Sequence, residues 1–243
     1  MKKNDSASLQ AEFQTLVEVV ARLRGPDGCP WDKEQNQQTL APYAIEEAFE
    51  LAEAIEKKDQ PEIKEELGDF LFQVILQAQV AQDEGHFSLL EVIKKLNEKM
   101  IRRHPHVFGD VKADSTAEVW KNWDKLKSQE SPKAKPVFSY PKNLPALQAA
   151  QKIGSKTKRL QFDWTEVSEV FAKVQEEISE LQIELDSTPH SPQKLEHEIG
   201  DVLFSMAQLA RHLNLEPEQC LRSANRRFEE RFFRSSQALS SLD

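Results

Sequence analysis

IEEAFELAEAIEKKDQPEIKEELGDFLFQVILQAQVA, residues 45–81, is the stretch of sequence that decides the fold. It carries two clusters of carboxylates on either side of a short turn that contains Pro61, and proline suits the first turn of a helix. The clusters consist of Glu46, Glu47 and Glu50, and then of Glu66 and Asp69. Because a short connection joins antiparallel neighbours, we expect two helices whose acidic clusters face each other at about the same level.

The two clusters differ in their predicted surroundings. The first lies opposite Ile45 and Phe49, and an acidic face opposite an apolar face is typical of a solvated helix. From Leu67 onward apolar residues point in nearly all directions, which is typical of a buried helix. Asp69 is then expected at the mouth of a buried helix, where a carboxylate is costly unless it is paired or binds a metal. Gly68 costs about 1 kcal/mol in a helix interior, which predicts close approach by another group.

The same pattern occurs a second time, in residues 176–210, which read EEISELQIELDSTPHSPQKLEHEIGDVLFSMAQLA. The motifs EExxE and ExGDxLF recur in the same order, and only the connector between them changes in length. The repeated acidic residues are Glu176, Glu177, Glu180, Glu198 and Asp201. This repeat indicates a duplicated unit, and 243 residues suffice for two domains that each have a core.

The composition favours an all-α protein, because the chain has only 7 glycines and long stretches of 3.6-residue periodicity. We predict two tandem four-helix units, over 7–127 and 146–243, the second of them shortened at its C-terminus. Residues 128–145 are rich in proline and are predicted to form the linker between the units. Within the first unit, helices are expected over 7–24 and about 88–104, in addition to the two acidic helices.

Charge and cysteine content exclude several classes of protein. The net charge of −9 argues against a nucleic-acid partner, which would need a basic face. No apolar run approaches the length of a membrane span, and the N-terminal MKKNDSASLQ leads into no signal-peptide core. The two cysteines, Cys29 and Cys220, suit a reducing compartment and cannot supply a thiolate zinc cluster. We therefore expect a cytoplasmic protein without nucleic-acid or membrane partners.

The acidic clusters predict a metal site with oxygen ligands only, because we expect no histidine or thiolate beside them. Such a site suits Mg²⁺ or Mn²⁺ rather than zinc. A ferritin-like di-iron site needs Glu-x-x-His on two helices, and none of the six histidines fits that spacing. The chain also lacks GxSxG and the P-loop signature. An acidic metal site with basic residues nearby is suited to hydrolysis of a phosphoanhydride.

Two further features allow more than one interpretation. Lys99 and Arg103 lie one turn apart near the end of the fourth helix, where they can hold an anionic ligand. Basic residues are also expected there because of the helix dipole. Trp31, in the loop GPDGCPWDKEQ, either covers a pocket or plugs the end of a helical bundle.

The motifs together resemble a known family. EEAFE…EELGDFLFQ, preceded by GCPWDKEQ and followed by RRHPHVFGD and EVWKNWDKLK, is similar to the MazG family of nucleoside triphosphate pyrophosphohydrolases. QEEISE…HEIGDVLF and NRRFEERF resemble the second domain of that family. The resemblance implies an all-α fold, a homodimer, and Mg²⁺-dependent cleavage of nucleoside triphosphates to monophosphates and pyrophosphate.

Motif matching to the family implies a role for individual residues. Metal ligands are expected at Glu47, Glu50, Glu66, Asp69, Glu177, Glu180, Glu198 and Asp201. Catalytic roles are expected for Glu46, Glu47, Glu176 and Glu177. Substrate contacts are expected from Trp31, Lys99, Arg102, Arg103, Trp120, Lys173, Arg227 and Arg231, with Trp120 as the candidate for the base.

The second unit departs from the first on its substrate side. Glu230 stands where Arg102 would, the HPHVF stretch is missing, and no segment like EVWKNW precedes Asp243. Two other classes of function therefore stay open. The first is a non-catalytic dimer scaffold, which would not explain why the aspartates Asp69 and Asp201 are present. The second is a regulatory module, which would bind nucleotide without turnover. Metal-dependent release of pyrophosphate distinguishes the enzyme from both.

Overall fold

This computed structural model describes residues 3–130, 140–189 and 191–240, which form helices joined by turns and loops, and no strand occurs among them. It divides into two compact units, Met1–Glu130 and Ser131–Asp243. The all-α prediction is therefore confirmed. Residues 131–139, the centre of the predicted linker, lie outside the described residues. None of the described helices is long and apolar enough to cross a membrane.

The first unit contains seven helices within its described part. They are α1 (Lys3–Arg24), α2 (Pro30–Glu34), α3 (Gln37–Lys57), α4 (Gln60–Asp83), α5 (Leu89–Arg103), α6 (Pro105–Phe108) and α7 (Thr116–Gln129). Two of the longer helices begin at residues whose side chains accept hydrogen bonds from backbone N–H groups. Asn36 and Thr39 form a capping box at the start of α3, and the Asp59 side chain accepts from the Glu62 N–H at the start of α4. The turn between α3 and α4 closes at Lys58, whose φ is 60°.

The core of the first unit surrounds the second half of α4. Its buried members are Val20, Leu40, Ile75, Leu76 and Val80. The first half of α4 is different, because Leu67, Leu71 and Val74 are 52%, 40% and 42% exposed. The prediction of a helix buried on all sides from Leu67 onward is therefore wrong for the turns nearest the acidic cluster, and Asp69, expected at the mouth of a buried helix, is exposed.

The second unit repeats this plan with α8 (Ala146–Arg159), α9 (Val167–Asp186), α10 (Pro192–His212) and α11 (Pro217–Ser240). Gln208 on α10 occupies the repeat position of Leu76, and both side chains are buried. The Gln208 side-chain N–H donates to the carbonyl oxygen of Ala150 at 2.8 Å, and Arg211 Nε donates to Gln208 Oε1 at 2.8 Å. A hydrogen-bonded amide thus replaces an apolar core residue.

The glycines of the ExGD motifs do not have the close neighbours that the sequence predicted. A Cβ atom added at Gly68 or Gly200 would meet no atom of the described chain within 4 Å. Gly154 on α8 is the glycine that packing requires, because a Cβ there would overlap Oε1 of Gln208 and lie 2.6 Å from Arg211 Nε. Close approach between helices therefore occurs at α8 and α10, away from the motif glycines.

Replacing Gly154 by Ala should lower the free energy of unfolding by about 1–3 kcal/mol, because the added methyl group displaces Gln208 from its buried hydrogen bonds. Gly200→Ala is the matched control in the same unit, and should be neutral or stabilising by up to about 1 kcal/mol. Urea denaturation of both variants measures the difference. Equal stability of the Gly154→Ala variant and the unsubstituted chain would contradict this account.

Candidate functional site

The first acidic cluster lies where α3 and α4 run side by side. Glu47, Glu66 and Asp69 each offer a carboxylate oxygen, and these oxygens lie within 4.8 Å of one another. Capping by Asn36 and Asp59 fixes where the two helices begin, so the EExxE and ExGD motifs meet across the helix pair. We call this group of three residues the first cluster.

Burial and then mutual repulsion raise the pKa of the glutamates in the first cluster. Burial raises the pKa of Glu47, and the charges of Asp69 and Glu50 raise it further, against a hydrogen bond from the Gln73 side chain. Burial, Glu50 and Asp69 likewise raise the pKa of Glu66. Oε2 of Glu66 is buried and has no hydrogen-bond partner among the described residues. Closely spaced carboxylate oxygens, one of them without a hydrogen-bond partner, are suited to binding a hard divalent cation.

The second cluster consists of Glu177, Glu180 and Glu198, whose carboxylate oxygens also lie within 4.8 Å of one another. Asp201 is outside this group, and its Oδ2 lies 3.1 Å from Nδ1 of His197. The prediction that no histidine accompanies the acidic residues is therefore wrong for the second unit. Burial raises the pKa of Glu180, and the charge of Glu177 adds to the effect. The donor set is again carboxylate oxygen, so it also fits a hard cation.

A lysine distinguishes the second cluster from the first. Nζ of Lys173 lies 2.7 Å from Glu176 Oε1 and 2.9 Å from Glu177 Oε1, and these two hydrogen bonds raise the pKa of Lys173. The repeat position of Lys173 in the first unit is Tyr43. The second cluster therefore has an internal cation, which neutralises part of its charge.

Not all residues predicted as metal ligands or catalytic groups enter the clusters. Glu50 is exposed and stays outside the group of three, although its charge acts on Glu47 and Glu66. Glu46 is exposed beside the first cluster, whereas Glu176 is engaged by Lys173.

Two of the predicted phosphate ligands of the first unit, Arg102 and Arg103, contact a carboxylate that the sequence did not suggest. Nε and Nη2 of Arg102 lie 2.9 and 2.7 Å from Glu130 Oε1, and Arg103 donates to both oxygens of the same carboxylate. The bonds from Arg103 and then Arg102 lower the pKa of Glu130 to about 2. Glu130 follows α7 and lies within the predicted linker, so nothing in the sequence predicted its contact with the arginines. Lys99 is half-buried one turn earlier on α5.

The aromatic candidates lie at the surface of the first unit. Trp31 is 46% exposed, and its ring meets Tyr43 edge-on with 5.7 Å between the centroids. Tyr43 precedes the acidic residues of α3 by one turn, so Trp31 is neither a buried plug nor remote from that helix. Trp120 on α7 is 57% exposed. Trp123, which the sequence did not single out, lies under Arg103 at 5.1 Å.

Two of the basic residues predicted for the second unit, Arg227 and Arg231, lie on α11, whereas Lys173 lies on α9. Arg227 donates to Oγ of Ser223 at 3.2 Å, and Arg231 is exposed. Another arginine of this unit, Arg211, forms a two-point contact with Asp163, with Nη1–Oδ2 and Nη2–Oδ1 distances of 2.9 and 2.5 Å. That pair anchors the loop before α9 and lies outside the second cluster.

Comparison with known proteins identifies the family. A model of the MazG nucleotide pyrophosphohydrolase domain matches residues 35–108. The nucleoside triphosphate pyrophosphohydrolase/pyrophosphatase MazG of Thermotoga maritima is 45% identical over 90% of this chain and 84% of its own length. A nucleoside triphosphate pyrophosphohydrolase of Escherichia coli K12 is 43% identical over 91% and 86%. A crystal structure of a mazG-related protein from Thermotoga maritima, 35% identical, covers 47% of this chain and 98% of its own, with a TM-score of 0.42. The chain belongs to the MazG family of nucleoside triphosphate pyrophosphohydrolases.

Proposed function

We propose that the protein hydrolyses nucleoside triphosphates to nucleoside monophosphates and pyrophosphate, with Mg²⁺ or Mn²⁺ as the cofactor. The observation that carries the proposal is the first cluster, in which Oε2 of Glu66 is buried without a hydrogen-bond partner among the described residues. The activity named for the relatives from Thermotoga maritima and Escherichia coli supports the same reaction.

Four carboxylates of the first unit would hold the cation: Glu47, Glu66 and Asp69, with Glu50 beside them. A cation held there would neutralise charge at the phosphate oxygens and would lower the pKa of a water molecule. We assign to Glu46, exposed next to Glu47, the acceptance of a proton from the attacking water. Attack on the α-phosphorus breaks its bond to the bridging oxygen and releases pyrophosphate.

The arginines of α5 would bind the phosphates in place of Glu130. A phosphate offers the same kind of oxygen acceptors as the carboxylate that now engages Arg102 and Arg103. Exchange of one anion for the other keeps both guanidinium groups paired, and Lys99 adds a further positive charge. Positioning by such groups supplies much of the rate in phosphoryl transfer.

The second unit is the better candidate for binding nucleotide with less turnover. Lys173 already pairs with Glu177, and His197 lies against Asp201, so two of its four predicted ligands are engaged. On the substrate side Glu230 replaces Arg102, which puts a like charge near the phosphates. These contacts favour a supporting or regulatory role for this unit.

We further propose that the protein is a homodimer and acts in the cytoplasm. Apolar side chains are exposed on α3 and the first half of α4, including Ile45 at 51%, Phe49 at 43% and Leu67 at 52%. An apolar surface of this kind on neighbouring helices is typical of an interface between proteins. Cys29 and Cys220 are free thiols, as expected for a reducing compartment.

Pyrophosphate release should require a divalent cation and stop in EDTA, because carboxylate oxygens are the ligands of the proposed site. The assay follows pyrophosphate and orthophosphate from a panel of nucleoside triphosphates with and without Mg²⁺.

Asp69→Asn should remove most of the activity, whereas Asp201→Asn should leave a larger share, since Asp201 lies outside the second cluster. Turnover in metal-free buffer, or orthophosphate and a diphosphate as products, would refute the proposal.

Lys173→Met should raise the affinity of the second cluster for Mn²⁺ by about 2- to 5-fold, because a competing ammonium group is removed from Glu177. Titration followed by electron paramagnetic resonance, in an Asp69→Asn background that weakens the first cluster, measures the change. Lys194→Met is the control, since Lys194 pairs with Glu184 at 3.0 Å on the same two helices, outside the cluster. An affinity that falls in Lys173→Met would show that the lysine supports the site.

The molar mass in light scattering at micromolar concentration should be twice the 27.9 kDa of one chain. Phe49→Arg should reduce it to that of the monomer, because a charge is costly in a buried apolar contact. Val107→Arg is the control, since Val107 is 64% exposed outside the proposed interface. A monomeric mass for the unsubstituted chain is incompatible with the proposal.

A further inference from the structure

One carboxylate joins the C-terminal end of α7 to the end of α5. Arg103 donates to both oxygens of Glu130, and Arg102 donates to Oε1 of the same group. Hydrogen bonds between a guanidinium group and a carboxylate are among the stronger ones in proteins. Glu130 is also the residue at which α7 ends, and its backbone N–H donates to the carbonyl oxygen of Leu126 at 3.2 Å. The contact of Glu130 with the two arginines therefore fixes the last turn of α7 against α5.

The contact leaves positive charge unmatched. Two guanidinium groups share a single carboxylate, and no other carboxylate of the described residues forms an ion pair with either. The side chain of Arg102 is 51% exposed, so the pair can be reached from solvent. A terminal phosphate group carries more negative charge than a carboxylate and has three oxygens that accept hydrogen bonds. It can therefore compete with Glu130 for the same donors.

Arg103 has a second support that does not depend on Glu130. Its guanidinium group lies 5.1 Å from the ring centroid of Trp123, which is a cation–π contact. The ring of His104 meets the same indole edge-on, with 5.1 Å between the centroids. Trp123 lies about two turns before Glu130 on α7. If Glu130 left the arginines, Arg103 would stay over Trp123, and only the last turn of α7 would lose its contact with α5.

The Glu130 contact lies at about the level of the first cluster. Leu89, at the start of α5, packs against the core that includes Val80 of α4. A short connection joins the two helices, so they run antiparallel. From Leu89 to Arg103 α5 rises by about 21 Å, and from Val80 back to Glu66 α4 covers the same distance. The end of α5 therefore reaches the level of the acidic part of α4.

The second unit does not repeat the arginine pair. The repeat positions of Arg102 and Arg103 are Glu230 and Arg231. Both units keep the acidic motifs, so neither the helix pair nor its carboxylates need two adjacent arginines at this place. The Glu130 contact is a property of the first unit and not a requirement of the plan that both units share.

We propose that Glu130 is an autoinhibitory carboxylate, which competes with a phosphate chain for Arg102 and Arg103, and that its displacement releases the last turn of α7. The proposal rests on the proposed function, in which these arginines bind phosphates. It goes beyond that function in two respects. The chain itself opposes phosphate binding at the first unit, and binding changes the end of α7.

Calorimetry with inorganic tripolyphosphate and Mg²⁺ tests the competition. The full chain carries Arg227→Gln and Arg231→Gln to weaken phosphate binding by the second unit. Glu130→Gln should raise the affinity about 3- to 10-fold, because both arginines lose a competing charge. Glu98→Gln is the matched control with the same change of net charge, since Glu98 is exposed one turn before Arg102, which pairs with Glu130 instead. The control should change the affinity less than about 1.5-fold.

Hydrogen exchange at the end of α7 tests the release. Saturating tripolyphosphate should speed exchange of the Glu130 backbone N–H at least about twofold, because the last turn loses its contact with α5. In Glu130→Gln this N–H should exchange faster from the start, and tripolyphosphate should not change its rate. Exchange of the Trp123 N–H, in the middle of α7, is the internal control and should stay the same. Mass spectrometry of peptides from the full chain measures both rates.

The remaining outcomes separate this proposal from the proposed function. If neither the parent chain nor Glu130→Gln binds tripolyphosphate, the phosphate-binding role of the arginines fails, and autoinhibition by Glu130 fails with it. If the parent chain binds it and Glu130→Gln binds it equally or more weakly, only the autoinhibition fails. If the affinity rises but tripolyphosphate leaves exchange at Glu130 unchanged, the phosphates join the arginines without displacing the carboxylate, which also overturns the proposal.

Discussion

The crowding of partly buried carboxylates on two neighbouring helices is the constraint on which the rest of this structure depends. The α3–α4 pair brings Glu47, Glu66 and Asp69 together, although burial and mutual charge raise the pKa of both glutamates. None of these three carboxylates is in an ion pair with a described lysine or arginine. The core around the second half of α4 supplies the stability that holds the pair together. An unfavourable cluster of this kind is typical of a functional site, where a bound cation would offset its cost.

The two units show two ways of arranging the same glutamate. In the first, a neutral amide from Gln73 donates to Glu47 and leaves the charge of the cluster intact. In the second, the ammonium group of Lys173 contacts Glu177 and neutralises part of that charge. Since the repeat position of Gln73 is Ser205, neither device is shared. Duplication has kept the carboxylates and changed their partners, which is how one fold can host two sites of different strength.

Much of the fold could be predicted because the sequence repeats itself. Two copies of EExxE and ExGD on apolar helices suffice to predict an all-α chain and the meeting of Glu47 with Glu66 and Asp69. Periodicity could not predict the exposed first half of α4. An apolar helix surface has the same sequence pattern whether residues of the same chain cover it or leave it exposed. Nor could it predict the contact of Glu130 with Arg103, since pairing across α5 and α7 depends on how the helices pack.

The same limit explains the motif glycines. Spacing alone suggested that Gly68 admits a close neighbour, yet the described chain leaves that side open, and the repeat glycine Gly200 is equally open. A glycine within a helix costs about 1 kcal/mol relative to alanine, and both units accept this cost beside an aspartate of the acidic motif. Packing within either unit does not require it, in contrast to Gly154. A ligand at the carboxylates or a second chain, as proposed above, would supply a close neighbour that the described residues do not. For this reason the acidic helices can be understood only together with what they bind.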